Sequence, residues 1–153
     1  IEISIPFGSG SDFILSGDID GSGKIKLTGD ASSRWLRLTG TNTFSGGIDI
    51  TSDTATNIPI LEIGSNDALG SGTVTSYGTV DYQNIRFAGN YTVSNAFATS
   101  SSSAKLNFNT NGYSPESSGI ISGSGPVTKS GNGTLTLSGN SSYAANTNVS
   151  TGT

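Results

Sequence analysis

A long stretch of this chain occurs twice. Ser16-Gly17-Asp18-Ile19-Asp20-Gly21-Ser22-Gly23 returns as Ser118-Gly119-Ile120-Ile121-Ser122-Gly123-Ser124-Gly125, 102 residues further on. After Gly29 and its partner Gly131 the first copy carries three extra residues, so Leu36-Arg37-Leu38-Thr39-Gly40 aligns with Leu135-Thr136-Leu137-Ser138-Gly139. Phe44 then falls on Tyr143 and Ile50 on Val149. Self-similarity of this kind points to a solenoid or array, in which each unit buries its apolar face against its neighbours. One domain is expected over 1–153, with a first unit at 1–102 and a partial second unit at 103–153, because no linker divides the chain.

The texture inside the unit selects the kind of solenoid. Apolar-polar-apolar triplets recur at Ile25-Lys26-Leu27, Leu36-Arg37-Leu38, Ile48-Asp49-Ile50, Leu61-Glu62-Ile63, Leu106-Asn107-Phe108 and Leu135-Thr136-Leu137. A period of two places the outer members of each triplet on one strand face and the middle residue on the other. Between the triplets lie Gly, Ser, Asn and Asp clusters that supply the backbone angles and local hydrogen bonds of tight turns. No segment keeps a helical period. With 22 Gly and 32% hydrophobic residues the chain lacks material for a thick layered core. The low charged fraction of 12%, with β-branched and aromatic residues at regular strand positions, argues against disorder. The expected fold is therefore all-β, a right-handed parallel β-helix (β-solenoid) with a thin core and a polar exterior. Coils of roughly 20 residues would give about seven coils and a rod on the order of 35 Å long. Unpaired strand edges at its ends would call for a cap, a next coil or a partner chain.

Chemistry is sparse in this sequence. There is no Cys and no His, which removes the common nucleophile-base pairs, disulfides and transition-metal ligands. A net charge of -4 and pI near 4.4 disfavour nucleic acid and anionic membrane as partners. Asp18 and Asp20 flank Ile19 and would project together, as a carboxylate pair or part of a Ca²⁺ site; a solvated strand face is the ordinary alternative. Asp49 and Glu62, in the middle of their triplets, are expected to face outward. The repeated Gly-Ser-Gly lacks the following helix and Gly-Lys-Ser/Thr of a phosphate loop, so it is expected at turns. No catalytic residue, metal or cofactor is implied. The one candidate contact surface is the loop Ala31-Ser32-Ser33-Arg34-Trp35 with Arg37, where the sole Trp stands among basic residues. Trp35, Arg34 and Arg37 would stack on a sugar or a partner's ring, or else Trp35 would seal the end of a coil.

The second copy, from Ile121-Ser122-Gly123-Ser124-Gly125-Pro126-Val127-Thr128-Lys129-Ser130-Gly131-Asn132-Gly133-Thr134-Leu135-Thr136-Leu137-Ser138-Gly139 to Asn140-Ser141-Ser142-Tyr143, resembles the autotransporter-associated β-strand repeat, also called the passenger-associated transport repeat. Leu36 to Ile50 resembles it again, and Ala68-Leu69-Gly70-Ser71-Gly72 resembles the segment that usually follows. Ala144-Ala145-Asn146 replaces the usual glycine pair, and Asp30 to Trp35 expands the short glycine turn. The resemblance implies a bacterial surface-displayed or secreted passenger, carried out through an outer-membrane β-barrel that would lie elsewhere in a longer protein along with its leader. It also implies a rod or stalk supporting secretion, display and adhesion, with neighbouring coils of the same or another chain as partners and no membrane insertion by this segment. Two other classes stay open: a module binding glycans or a host surface, self-assembling head to tail, and, less favoured, a carbohydrate-active enzyme built on carboxylates.

Overall fold

The computed structural model describes residues 2–7, 12–29, 35–51, 59–79 and 84–153. The described residues form short strands that pair exclusively in parallel, in three sheets. In chain order they are β1 (Glu2–Phe7), β2 (Phe13–Leu15), β3 (Lys24–Gly29), β4 (Trp35–Leu38), β5 (Ile48–Ile50), β6 (Ile60–Ile63), β7 (Val74–Ser76) and β8 (Ile85–Phe87). There follow β9 (Thr92–Val93), β10 (Phe97–Thr99), β11 (Leu106–Asn109), β12 (Glu116–Ser117), β13 (Ile121–Ser122), β14 (Val127–Ser130), β15 (Thr136–Leu137) and β16 (Thr147–Val149). The first sheet runs β1-β3-β5-β7-β10-β13, the second β16-β14-β11-β8-β6-β4-β2, and the third β15-β12-β9. The chain therefore winds from face to face as a parallel β-solenoid, with the right-handed sense that parallel crossovers adopt.

The triplets act as the alternation dictates. Ile25 stacks on Ile48 and Ile48 on Val74 in the first sheet, while Leu36, Leu61 and Ile85 stack in the second. All six side chains are buried. Each such side chain contributes about 1.5–3 kcal/mol on leaving water. Parallel pairing aligns like positions on successive coils, so inward residues form columns along the axis. Register gives coils of 20 to 26 residues, more variable than the sequence expectation of about 20. The variation is taken up in the turns. Gly21 and Gly123 of the Gly-Ser-Gly repeats both have positive φ, 94° and 105°, as turn residues do. Elsewhere glycine is required by close stacking: a Cβ on Gly72 would lie 2.3 Å from the backbone nitrogen of Gly47 on the preceding coil.

Buried amides stitch the corners. Asn42 accepts a hydrogen bond from the Ile19 N–H of the coil before at 2.8 Å, and its Nδ2 donates to the Ala68 carbonyl of the coil after at 2.6 Å. One side chain thus replaces the rungs that the backbone loses where it bends. The buried Asn95 ties its corner to the preceding coil alone, donating to the carbonyls of Gly70 at 2.9 Å and Gly72 at 3.0 Å. Asn42→Ala strands a donor and a carbonyl in the wall of the solenoid, and we expect a loss of about 2–3 kcal/mol of stability in urea unfolding. Asn42→Asp retains the acceptor alone, so it should also destabilise; an unchanged midpoint in both variants would contradict the stitching role.

The two sequence copies make the same local contacts on different faces. In the first, Thr43 N–H donates to Ile19 O at 2.8 Å and Ser45 N–H to Gly21 O at 2.9 Å. In the second, Ser142 N–H donates to Ile121 O at 2.9 Å and Ala144 N–H to Gly123 O at 3.0 Å, with Ser141 Oγ accepting from Ile121 N–H in place of Asn42. Yet Ile25 and Leu27 lie on the first sheet, whereas their sequence partners Val127 and Lys129 lie on the second. The motif has moved on by one face.

At Leu27's counterpart a lysine points inward. Lys129 is 4% exposed and stacks on Phe108. Its ammonium donates to Gly131 O at 2.5 Å, Thr151 O at 2.8 Å and Thr110 Oγ1 at 3.1 Å. Burial lowers its pKa from the ordinary lysine value. The oxygens gathered around Nζ satisfy a cation that an apolar column alone would exclude.

Candidate functional site

The alternation that sends Leu36, Leu38, Leu61, Ile63, Ile85 and Phe87 inward sends Trp35, Arg37, Glu62 and Arg86 outward on three adjacent strands. Register places Arg37 beside Glu62 and Glu62 beside Arg86, one strand spacing apart in a single row, with Trp35 two positions from Arg37 along β4. Arg37 donates from Nε to Glu62 Oε1 and closes a salt bridge to it through a terminal nitrogen. Arg86 Nε lies 3.3 Å from Oε2, a charge contact without hydrogen-bond alignment. The Arg86 guanidinium also lies 4.7 Å from the centre of the half-buried Trp35 ring, within cation–π range.

The sequence expectation for Glu62, an outward and solvated carboxylate, is half corrected. It points away from the core column, but it is wholly buried, while the side chains of Arg37 and Arg86 keep 35% and 23% of their exposure. The two long cations lie along the strand face and cover it. Asp49 does remain partly exposed and pairs with Lys24 at 2.9 Å. Arg34 and the loop residues Ala31 to Ser33 lie outside the described residues. Of the three candidate contact residues, Trp35 and Arg37 thus share a strand but have different companions, Arg86 and Glu62.

Arg86 is the member that sequence reading missed. Its triplet, Ile85-Arg86-Phe87, has the same apolar-charged-apolar form as Leu61-Glu62-Ile63, one coil earlier, and that match was the available signal. What the sequence does not display is the register that sets the two charges side by side.

This cluster is built for holding strands rather than for proton transfer. Glu62 has a guanidinium on each side, and among the described residues no second carboxylate pairs with it. The other carboxylate candidates do not converge either. Asp18 accepts from Thr41 N–H at 2.7 Å, and Asp20 lines a cavity of about 280 Å³ with Ile19, Gly21, Ser22, Ile25 and Phe44. Among the described residues no three His, Cys, Asp or Glu side chains gather as a metal would require, and no helix is long and apolar enough to cross a membrane.

The family described as passenger-associated-transport-repeat matches the chain at residues 36–52 and 127–153. These segments hold Arg37 on β4 and Lys129 on β14. No curated protein and no solved structure matches the chain.

Proposed function

Two segments of this chain match the passenger-associated-transport-repeat family and are set in a parallel β-solenoid, and on that premise we propose that it is a rod-forming part of a bacterial autotransporter-like passenger. It acts at the cell surface or outside the cell, where it spaces and displays the rest of the passenger and supports its secretion and adhesion. The observation that carries this reading is the coincidence of the repeat with continuous inward columns, in which each coil templates the next through backbone rungs. Such a scaffold extends mechanically and needs no catalytic group. Its natural partners are further coils of the same kind, in this chain or another.

The test is excision of one coil in register. Val74 pairs with Phe97, so deleting residues 74–96 joins Thr73 to Phe97 with the stacking preserved and the Arg37–Glu62 pair retained. In the full-length protein expressed on bacteria, a rod tolerates the loss: the passenger remains accessible to antibody on intact cells and retains adhesion. A variant that is displayed but no longer adheres would move the activity into the excised coil and overturn the rod reading.

One observation favours a second reading, a glycan- or host-surface-binding face: an indole and two guanidiniums share one outer sheet face. Trp35, Arg37 and, from sequence, Arg34 are its proposed contacts. Binding lost in Trp35→Ala with the far-UV spectrum intact would support it.

A further inference from the structure

Asn132-Gly133 and Asn111-Gly112 are two exposed asparagine-glycine turns on neighbouring coils, alike in sequence and opposite in their hydrogen bonding. The carbonyl oxygen of Asn132 accepts from Gly112 N–H at 2.8 Å and from Thr110 Oγ1 at 2.7 Å. Thr110 is buried, and its hydroxyl in turn accepts from the Lys129 ammonium at 3.1 Å. A buried cation therefore polarises one of the two donors on that oxygen. The Gly133 N–H donates to none of the described residues. At the other turn the arrangement is reversed: the Gly112 N–H is committed to Asn132 O, and Asn111 O receives no donor among the described residues.

We infer that Asn132 is a self-modification site, at which the fold promotes conversion of asparagine to aspartate and isoaspartate while protecting Asn111. Hydroxide removes the Gly133 amide proton, and the negative charge spreads onto Asn132 O, where the Gly112 amide and Thr110 hydroxyl stabilise it as an oxyanion hole does. The Gly133 nitrogen attacks Asn132 Cγ, the N–Cγ bond forms, and the Cγ–Nδ2 bond breaks. The leaving nitrogen takes a proton from water and departs as ammonia. Water then opens the cyclic imide at either carbonyl, restoring the main chain as aspartate or lengthening it as isoaspartate. No electron is transferred and water is the sole co-reactant. Glycine at 133 offers no Cβ to hinder the attack. The product adds one negative charge to the net -4 of the chain, at the turn that Lys129 holds together.

The experiment is an incubation of the folded chain in mildly alkaline buffer, with peptide mapping by mass spectrometry for the exchange of ammonia for water. The same chain in urea serves as reference, where the two sites should react alike. Folded, Asn132 is expected to convert on the order of tenfold faster than Asn111, and no slower than in urea. Equal rates at the two sites in the folded chain, or an Asn132 rate below its rate in urea, would overturn the inference. Thr110→Val removes one donor and should slow Asn132 while leaving the chain folded by circular dichroism. An unchanged rate in that folded variant would also count against the mechanism, and if the variant does not fold, the wild-type comparison decides.

Discussion

Phe108→Ala is expected to lower the unfolding free energy by about 4 kcal/mol. Phe108 is fully buried in β11, stacked between Ile85 and Lys129 in register, and its ring meets that of Phe97 edge to face at 5.0 Å. A solenoid core holds only one or two columns of side chains per face, so a missing ring leaves a void that spans much of its width. The flanking rungs are tied to one another by parallel backbone hydrogen bonds and cannot collapse into it. The void also lies against the buried Lys129, whose ammonium is held by the Gly131 carbonyl of its own coil and the Thr151 carbonyl of the next. Urea unfolding followed at far-UV wavelengths is the measurement. Because coil arrays lose cooperativity when one coil weakens, a broadened transition should accompany the shift. A loss below about 1.5 kcal/mol would mean that the neighbouring coils close the gap, contrary to a rigidly templated stack.

Glu62→Ala should have the second-largest effect, about 3 kcal/mol. Removing one partner of a buried ion pair leaves the other charge uncompensated, which costs about 3–5 kcal/mol when both partners are buried. Here the partners Arg37 and Arg86 retain solvent contact, so screening reduces the figure. The loss nonetheless leaves two guanidiniums, on β4 and β8, flanking the emptied position on β6 with no carboxylate between them to offset their repulsion. Arg37→Ala should cost no more than about 1 kcal/mol, since Glu62 keeps Arg86. Adding Arg37→Ala to Glu62→Ala should recover part of the loss, because the repulsion is gone. A double-mutant cycle in urea gives the coupling directly. If Glu62→Ala is no worse than Arg37→Ala, then Glu62 does not hold β4, β6 and β8 together in this way.

Much of this architecture is written in residue pattern. Triplets such as Ile48-Asp49-Ile50 specify which side chains point inward, and Gly21 and Gly123 specify turns, because alternation and positive φ are local properties that a short segment imposes by itself. The chain also carries its own coil-to-coil contact: Asn42 on Ile19 and Ser141 on Ile121 are the same bond written twice. Strands whose inward position is polar, as Ser76 in β7 and Thr99 in β10, were less legible, since they break the apolar alternation and are accepted only because Ser76 donates to Lys105 O and Thr99 Oγ1 accepts from Gly125 N–H.

The sequence determined inward from outward, turn from strand, and the need of each unit for a neighbour. Which face a unit occupies was decided by the tertiary structure alone, because all three faces ask for the same alternation and the coil lengths accumulated along the chain set where each triplet falls. That is why Ile25 and its counterpart Val127 lie on different sheets. Register, likewise a property of the assembled stack, put Glu62 between Arg37 and Arg86 and buried it, and it laid Gly112 and Thr110 against Asn132 but not their equivalents against Asn111. A charge or an amide in a solenoid acquires its chemistry from the coil beside it, about 20 residues away in sequence and one strand spacing, near 4.8 Å, away in space.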